Sequence, residues 1–342
     1  MKSANPVDPI EPGQPYVFDL LQPQDAEGVA RLFKTVYGEG YPIRTFIDPQ
    51  RLIEENKAGR VISSVARTPR GDIVGHNALF CSAPFKRIYE TGAGVVHPHY
   101  RGGKGIFSGL VIHGLEVGEK QFGAEAIFGE SVCNHVFSQK MCHGLGYITQ
   151  AVEVDLMPAA AYEKEDSAQG RVASIVDCQS FNPNPQTVFV PKPYVDLFQF
   201  LYQGLNEERR IDISDRQDFP PESSELETRI FDFAQVARVS VNRAGPDFRT
   251  VLDREEKRIL AAGVVVIQIW LNLSWPWVNR LVEELRGRKY FIGGLLPRWF
   301  DQDGMLMQKI RNRPHWEGIQ LQFDRAKKIL EWVRGDWEKT LS

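Results

Sequence analysis

No apolar run in these 342 residues approaches the roughly 20 needed to cross a bilayer, so no transmembrane helix is expected. Cysteine is scarce. Cys81, Cys133, Cys142 and Cys178 have neither the dense spacing of a disulfide scaffold nor Cys-x-x-Cys pairs, which points to a reduced, cytoplasmic setting. A large excess of one charge is missing too. The net charge of -3 gives no reason to expect nucleic acid or an anionic membrane as partner. Met1 to Pro15 carries four prolines and no apolar core, matches no signal or transit peptide, and reads as a mobile leader. Tryptophan is absent before residue 270, where all seven follow, whereas six of the seven histidines precede residue 144. That asymmetry suggests two units of different character, and the length is comfortable for two domains. The turn-rich stretch Phe181-Asn182-Pro183-Asn184-Pro185 is the natural joint.

The first half alternates between two periodicities. Val29, Leu32, Phe33 and Val36 share one face of a helix over Asp25 to Tyr37, with Asp25 as its N-cap; Asp48 and Pro49 open a second helix. Val61 to Thr68 and Ile73 to Ala83 read as a hairpin around Pro69-Arg70-Gly71-Asp72, and Ile88 to Val96 as a third strand. Ile106, Leu110, Val111, Leu115 and Phe122 have helical spacing. Then come a short strand (Ala126 to Gly129), a short helix (Asn134 to Cys142) and two strands, Tyr147 to Leu156 and Arg171 to Cys178.

The most informative segment is Val96-His97-Pro98-His99-Tyr100-Arg101-Gly102-Gly103-Lys104-Gly105-Ile106-Phe107, between a strand and a helix. Free N–H groups and the positive end of a helix dipole make such a place suited to phosphate, and glycine lets the backbone come close. The competing reading is a plain basic turn. Downstream stands Cys142-His143-Gly144-Leu145-Gly146-Tyr147.

On these two segments, one helix and one strand apart, and on the order of elements, residues 16 to 182 resemble the GNAT superfamily of acyl-CoA-dependent N-acyltransferases. The first looks like the family's pyrophosphate loop, the second like its Leu-Gly-Phe region. The resemblance implies an α+β fold with a central, mostly antiparallel sheet flanked by helices. It implies transfer of an acetyl group from acetyl-CoA, or another acyl-CoA, to a primary amine by direct attack, without a metal. The acceptor is a small molecule or a protein lysine, and oligomeric state stays open. Backbone N–H groups of Gly102, Gly103, Lys104, Gly105 and Ile106 would cradle the pyrophosphate, with Arg101 or Lys104 adding charge. An N–H of Val95 or Val96 would polarise the thioester carbonyl, and Asn134 or His135 would contact the pantetheine or the thiol. The sequence departs from the pattern in an apparent extra glycine, which displaces Arg101 by one, and in Phe107, where a small residue is usual.

An ammonium must lose a proton before it can attack, and a carboxylate is a usual acceptor. Glu90 and Glu130 are the two candidates. Cys142 occupies the place of the family's usual tyrosine acid; it is either a proton donor to the departing thiolate or a small buried hydrophobe. A second function, an acyl-CoA-binding regulatory module without turnover, competes with the enzyme.

For residues 186 to 342 the expected elements are a strand over Gln186 to Val190, a helix over Tyr194 to Leu205, and a surface loop over Asp212 to Glu227. Strands are expected over Arg229 to Arg238, Arg249 to Leu252, Gly263 to Leu271, Tyr290 to Leu296 and Gly304 to Lys309. Helices are expected over Pro276 to Arg286 and at the C-terminus, where Leu321, Ala326, Ile329, Leu330, Val333 and Trp337 share a face. Residues 263 to 309 echo residues 125 to 160, with Trp270-Leu271-Asn272 set against Phe128-Gly129-Glu130, and Lys289-Tyr290-Phe291 against Leu145-Gly146-Tyr147. The expectation is a second, degenerate GNAT-like α/β domain without a phosphate loop. Trp275, Trp277, Trp299 and Trp316 either line a cleft or pack in the core.

Overall fold

The computed structural model describes residues 10–38, 41, 43–102, 105–161 and 170–341. The fold is α+β, with a mostly antiparallel sheet flanked by helices. Two compact units are present: the chain up to Cys81 with Thr91–Gly123, and Ser82–Glu90 with Ala124–Ser342.

The first unit contains strand β1 (Val17–Leu20), helices α1 (Ala26–Tyr37) and α2 (Pro49–Lys57), strands β2 (Val61–Arg67) and β3 (Ile73–Phe80), residues 91–96 of β4 (Ile88–Val96), and helix α3 (Ile106–Phe122). The strands follow the order β1-β2-β3-β4, antiparallel from β1 to β3. Ala26, Val29, Leu32 and Phe33 of α1 pack on Val65, Ile73 and Ala78. Asp48 caps α2, its carboxylate accepting from the Arg51 N–H at 3.2 Å. Asp25 does not cap α1; its carboxylate pairs with Arg67 at 2.6 Å and accepts from the Gln22 N–H at 2.7 Å. On the other side Ile106 and Leu110 of α3 press on Gly75, where a Cβ would lie 2.8 Å from Ile106 Cγ2.

The second unit holds β5 (Ala126–Val132), α4 (Phe137–Gly144), β6 (Ile148–Met157), β7 (Val172–Ser180), β8 (Gln186–Val190), α5 (Val195–Tyr202), β9 (Arg209–Ile213), β10 (Glu225–Phe231), β11 (Val236–Arg243), α6 (Phe248–Ala261), β12 (Val266–Asn272), α7 (Val278–Gly287), β13 (Phe291–Phe300), β14 (Gln302–Ile310) and α8 (Asp324–Lys339). Its strands run β5-β7-β6-β13-β14-β12-β11-β10; only β11 and β12 are parallel. β8 and β9 form a separate parallel pair. Helices α5 to α8 bury Phe198, Leu252, Leu281, Val282 and Ile329 against Val152, Ile175, Ile269 and Met307. A second apolar group, among it Ile88, Phe128, Trp270, Trp299 and Leu306, belongs to the alternate positions of the same strands.

Two expectations for this unit are corrected. Residues 249–252 are not a strand: Phe248, Leu252, Glu256 and Ile259 are the buried positions of α6, a helical spacing hidden in a charge-rich segment. Arg229 to Arg238 is not one strand but parts of β10 and β11, separated by a turn in which Gln235 has φ 54°. The stretch from Asp212 to Glu227 also gives its ends to β9 and β10.

An order of elements recurs along the chain, in a register different from the one read in sequence. The elements β11-α6-β12-α7-β13-β14 repeat the order β4-α3-β5-α4-β6-β7. One row of paired residues crosses the sheet as Glu130, Val176, Ala151, Gly294, Leu306 and Trp270, so Trp270 answers Glu130 rather than Phe128. Likewise Arg288-Lys289-Tyr290 answers Leu145-Gly146-Tyr147. Gly146 and Lys289 both have positive φ, and the N–H groups of Tyr147 and Tyr290 donate at 3.0 Å to Cys142 O and Leu285 O. β6 and β13 break register at matching places, Thr149/Ala151 with Glu153/Met157 and Ile292/Gly294 with Leu296/Phe300.

Gly294 and Ala151 are the paired residues where β6 meets β13. Near that narrow contact Gln308 substitutes for ladder bonds. Its buried side chain accepts from the Val154 N–H and donates to Val152 O, both at 2.9 Å, leaving neither backbone group unpaired.

Candidate active site

In the first unit, the strand-to-helix turn takes its shape from its own side chains. The His97 N–H donates to Val74 O at 2.9 Å, and His97 Nδ1 accepts from the His99 N–H at 3.3 Å. Tyr100 is buried, its hydroxyl donating to Glu11 O at 2.6 Å. Arg101 is exposed and its Nε donates to Val96 O at 3.0 Å, which brings the guanidinium back along the turn. Gly102 and Gly105 have φ 87° and 68°, the left-handed region that glycine enters without strain, and a Cβ at either would meet nothing within 4 Å. Gly105 is the N-cap of α3, and no side chain caps that end. The first-turn N–H groups from Ile106 onward therefore face an open, glycine-walled approach, suited to an anion. Gly103 and Lys104 lie outside the described residues.

Two features of β4 bear on the expected carbonyl contact. Val95 is buried, and Val96 packs partly buried beside Tyr100 and Ile106. Ala93 has φ 51°, so the simple alternation of side chains along β4 breaks there. Phe107, the oddity of the sequence, packs on Gly94: a Cβ on Gly94 would lie 2.1 Å from Phe107 Cε2. The large residue on the helix and the glycine on the strand are one fitted pair.

In the second unit, four strands bring together a charged cluster. Glu130 of β5 accepts from Arg238 Nη2 at 2.6 Å. Glu153 of β6, 3 % exposed, accepts from the same nitrogen at 3.2 Å and from Gln268 Nε2 at 2.8 Å; its second oxygen has no hydrogen-bond partner among the described residues. Arg238 Nε donates to Gln268 Oε1 at 2.9 Å, across the paired strands β11 and β12. The guanidinium carbon sits 5.8 Å from the ring centres of both Phe231 and Trp270.

Glu90 faces this group. Although the residue as a whole is only half-buried, its carboxyl is enclosed deeply enough that burial, then the Glu130 charge, push its pKa up to about 8 against the opposing pull of Arg238. Burial and Glu130 push Glu153 up to about 8 as well. Three carboxyl groups lie around one guanidinium, and two of them, Glu90 and Glu153, hold protons at a pH where isolated glutamates have lost theirs.

The other expected residues are placed differently. Cys142 is 3 % exposed on α4, its sulfur accepting from Ser131 Oγ at 3.5 Å, and burial pushes its thiol up to about 12. Its counterpart in the repeat is the buried Leu285. Asn134 is not a helix cap, since α4 starts at Phe137 with Val136 before it. Asn134 is buried, and His135 packs against Phe137 with ring centres 5.4 Å apart. The segment is held by Gln320, whose N–H donates to Cys133 O at 2.7 Å and whose carbonyl accepts from Gln139 Nε2 at 2.8 Å. Among the described residues no three His, Cys, Asp or Glu side chains are grouped to hold a metal ion.

The corresponding turn of the second repeat, before α6, is filled by its own chain. A Cβ on Gly245 would lie 1.7 Å from Glu222 O, and the Gly245 N–H donates to Ser224 Oγ at 2.9 Å. Asp247 is the N-cap residue of α6, and its carboxylate accepts from the Ser224 N–H at 2.7 Å. Trp299 and Trp316 are core residues; Trp275 and Trp277 are half-buried and stack, with ring centres 6.3 Å apart.

Glu153, Arg238 and Gln268 were not singled out from the sequence. The available signal was a lone charge in an apolar run, in Ala151-Val152-Glu153-Val154 and Val236-Ala237-Arg238-Val239; two buried charges of opposite sign call for each other.

No protein-family model and no curated protein matches the sequence. Solved structures do resemble the chain, over about half its length. The ribosomal-protein-S5-alanine acetyltransferase of Vibrio fischeri aligns at 17% identity over 48% of this chain and 92% of its own, with a TM-score of 0.39. An N-acetyltransferase of Staphylococcus aureus aligns at 14% identity over 48% and 98%, with a TM-score of 0.40. A GNAT superfamily phosphinothricin acetyltransferase of Sinorhizobium meliloti, solved in complex with AcCoA, aligns at 16% identity over 49% and 89%, with a TM-score of 0.39. No described helix is long and apolar enough to cross a membrane.

Proposed function

We propose that this protein is a GNAT-type N-acetyltransferase that moves an acetyl group from acetyl-CoA to a primary amine. The observation that carries the reading is the turn between β4 and α3: two left-handed glycines with open space beside them, an uncapped helix start and a nearby arginine. This turn takes the pyrophosphate, with Gly102, Gly105 and Ile106 supplying backbone N–H groups and Arg101 the charge. Gly103 and Lys104 complete the cradle in this reading, and the N–H of Val95 or Val96 polarises the thioester carbonyl.

The transfer is direct. The neutral amine attacks the thioester carbonyl and a C–N bond forms; as the C–S bond breaks, the nitrogen gives up a second proton to solvent and the departing CoA thiolate takes one from solvent, leaving as the thiol. Glu90 accepts the proton that the ammonium must lose; a carboxylate with pKa near 8 is well matched to a base working around neutral pH. Glu130 acts through its ion pair with Arg238, and Cys142 is a packing residue. Residues 16 to 182 form the acyltransferase domain. Residues 186 to 342 form a degenerate second copy that takes no CoA, because Gly245 and Asp247 close its turn.

The burial of Cys142 favours one other reading, an acyl-CoA-responsive module without turnover, since the expected proton donor is locked away. Thermal shift and thiol release separate the two. Acetyl-CoA raises the melting temperature under both. Release of thiol with a panel of primary amines, falling at least tenfold in Glu90→Gln, occurs only for the enzyme. Absence of any thermal shift with acetyl-CoA rules out both.

A further inference from the structure

We infer that Arg238, supplied by the second repeat, is a positioning residue for the proposed proton transfer: its guanidinium engages Glu130 and Glu153 and so offsets the negative charge that would otherwise hold the Glu90 carboxyl in its protonated form. The inference rests on the acyl-transfer reading above for its chemical purpose, and on geometry for its substance. One nitrogen of Arg238 makes both carboxylate contacts, at 2.6 and 3.2 Å. Another is fixed by Gln268, which in turn donates to Glu153. Phe231 and Trp270 flank the guanidinium, so it cannot swing freely toward Glu90. Among the described residues no hydrogen bond joins Arg238 to Glu90. The charged groups facing Glu90 are Glu130 on β5, Glu153 on β6 and Arg238 on β11. Without the arginine, Glu130, and Glu153 where it is ionised, lose their counter-charge and repel any negative charge on Glu90. The base then stays protonated to higher pH. A lysine is a poor replacement, because one ammonium does not reproduce the fixed fork that spans Glu130, Glu153 and Gln268.

The test follows the side-chain carboxyl resonances of the full chain, labelled with 13C at glutamate, through a pH titration, beside the pH profile of thiol release. The Glu90 transition is assigned by its loss in Glu90→Gln. In Arg238→Gln it moves up by about one pH unit or more, and in Arg238→Lys by less. The acidic limb of kcat moves with it, so kcat at neutral pH falls about tenfold for each unit while KM for acetyl-CoA is unchanged. If Arg238→Gln does not fold, Arg238→Lys carries the test alone. A Glu90 transition that stays in place in a folded Arg238 variant overturns the inference, whatever the activity. A transition that moves, in a protein that releases thiol with no amine, keeps Arg238 as the residue that tunes Glu90 and removes the acyl-transfer reading instead.

Discussion

Asp155 and Arg298 hold the same left-handed backbone conformation, φ 56° and 57°, each four residues beyond the paired Ala151 and Gly294 that join β6 to β13. Positive φ is uncommon outside glycine, aspartate enters it more readily than arginine, and the two have no side-chain chemistry in common. What they share is a place in a strand with two register breaks. The same backbone form recurs at the same distance from the paired residues, with different side chains on it.

The joint between β6 and β13 is intolerant of a side chain. Gly294 has φ 142°, and a Cβ there would lie 2.3 Å from Gln150 O and 2.6 Å from Ala151 Cα, both backbone atoms. Gly294→Ala is expected to lower stability by about 3 kcal/mol or more. Gly293→Ala meets only the movable side chain of Leu306 and is expected to cost less. Denaturant midpoints of the two variants check the order; equal losses would count against it.

Gly94 and Phe107 are expected to show strong coupling. Gly94→Ala alone forces its methyl into the Phe107 ring, at a cost of about 1–3 kcal/mol. In the Phe107→Ala background the same change should cost little. A double-mutant cycle measures the difference, and additive losses would show that the pair is not fitted.

Glu153 makes stability depend on pH with a definite sign. Its folded pKa, about 8, lies above the ordinary carboxylate value of 4.5, so the folded state holds the proton more tightly. The resulting stabilisation is complete below about pH 4.5 and is lost as pH rises through 8, and Glu90 acts in the same direction. Glu153→Gln should flatten the fall in melting temperature between pH 5 and pH 8.5. Parallel curves for the two proteins would contradict the assignment.

Cys142 is expected to be silent in both chemistry and catalysis. Its thiol, with a pKa near 12 and buried, should resist alkylation at pH 8 until denaturant is added. Cys142→Ala should keep thiol release within about twofold of the parent while losing roughly 1–2 kcal/mol of stability. A large loss of kcat in a folded Cys142→Ala protein would restore the thiol as the proton donor.

Much of this was legible in the chain itself. β4 runs from Ile88 to Val96 as its apolar and glycine pattern indicates, and the turn after it stood out because Gly102 and Gly105 do what only glycine does without strain. The charged cluster was legible only by halves. Glu90 and Glu130 follow from their place beside the turn and the short strand, whereas Arg238 and Gln268 reach them through strand pairing over more than a hundred residues, which no local pattern encodes. Helix α6 was missed because its buried face includes Glu256, which answers Arg288 and Lys309 at 2.7 and 3.0 Å, so a charge stands where periodicity looks for a hydrophobe. The sequence echo was read in a register that strand pairing does not keep, because bulges absorb residues without trace in the sequence.

The meeting of β6 with β13 at Ala151 and Gly294 has a thermodynamic consequence. Antiparallel pairing of two strands is also a way in which homodimers join their sheets. Here both belong to one polypeptide, so the association is unimolecular and does not weaken on dilution. A chain that carries both partners is also free to change one of them. The turn before α6 is filled by Glu222 and Ser224, whereas Arg238 of β11 reaches carboxylates on β5 and β6, an asymmetry closed to identical subunits.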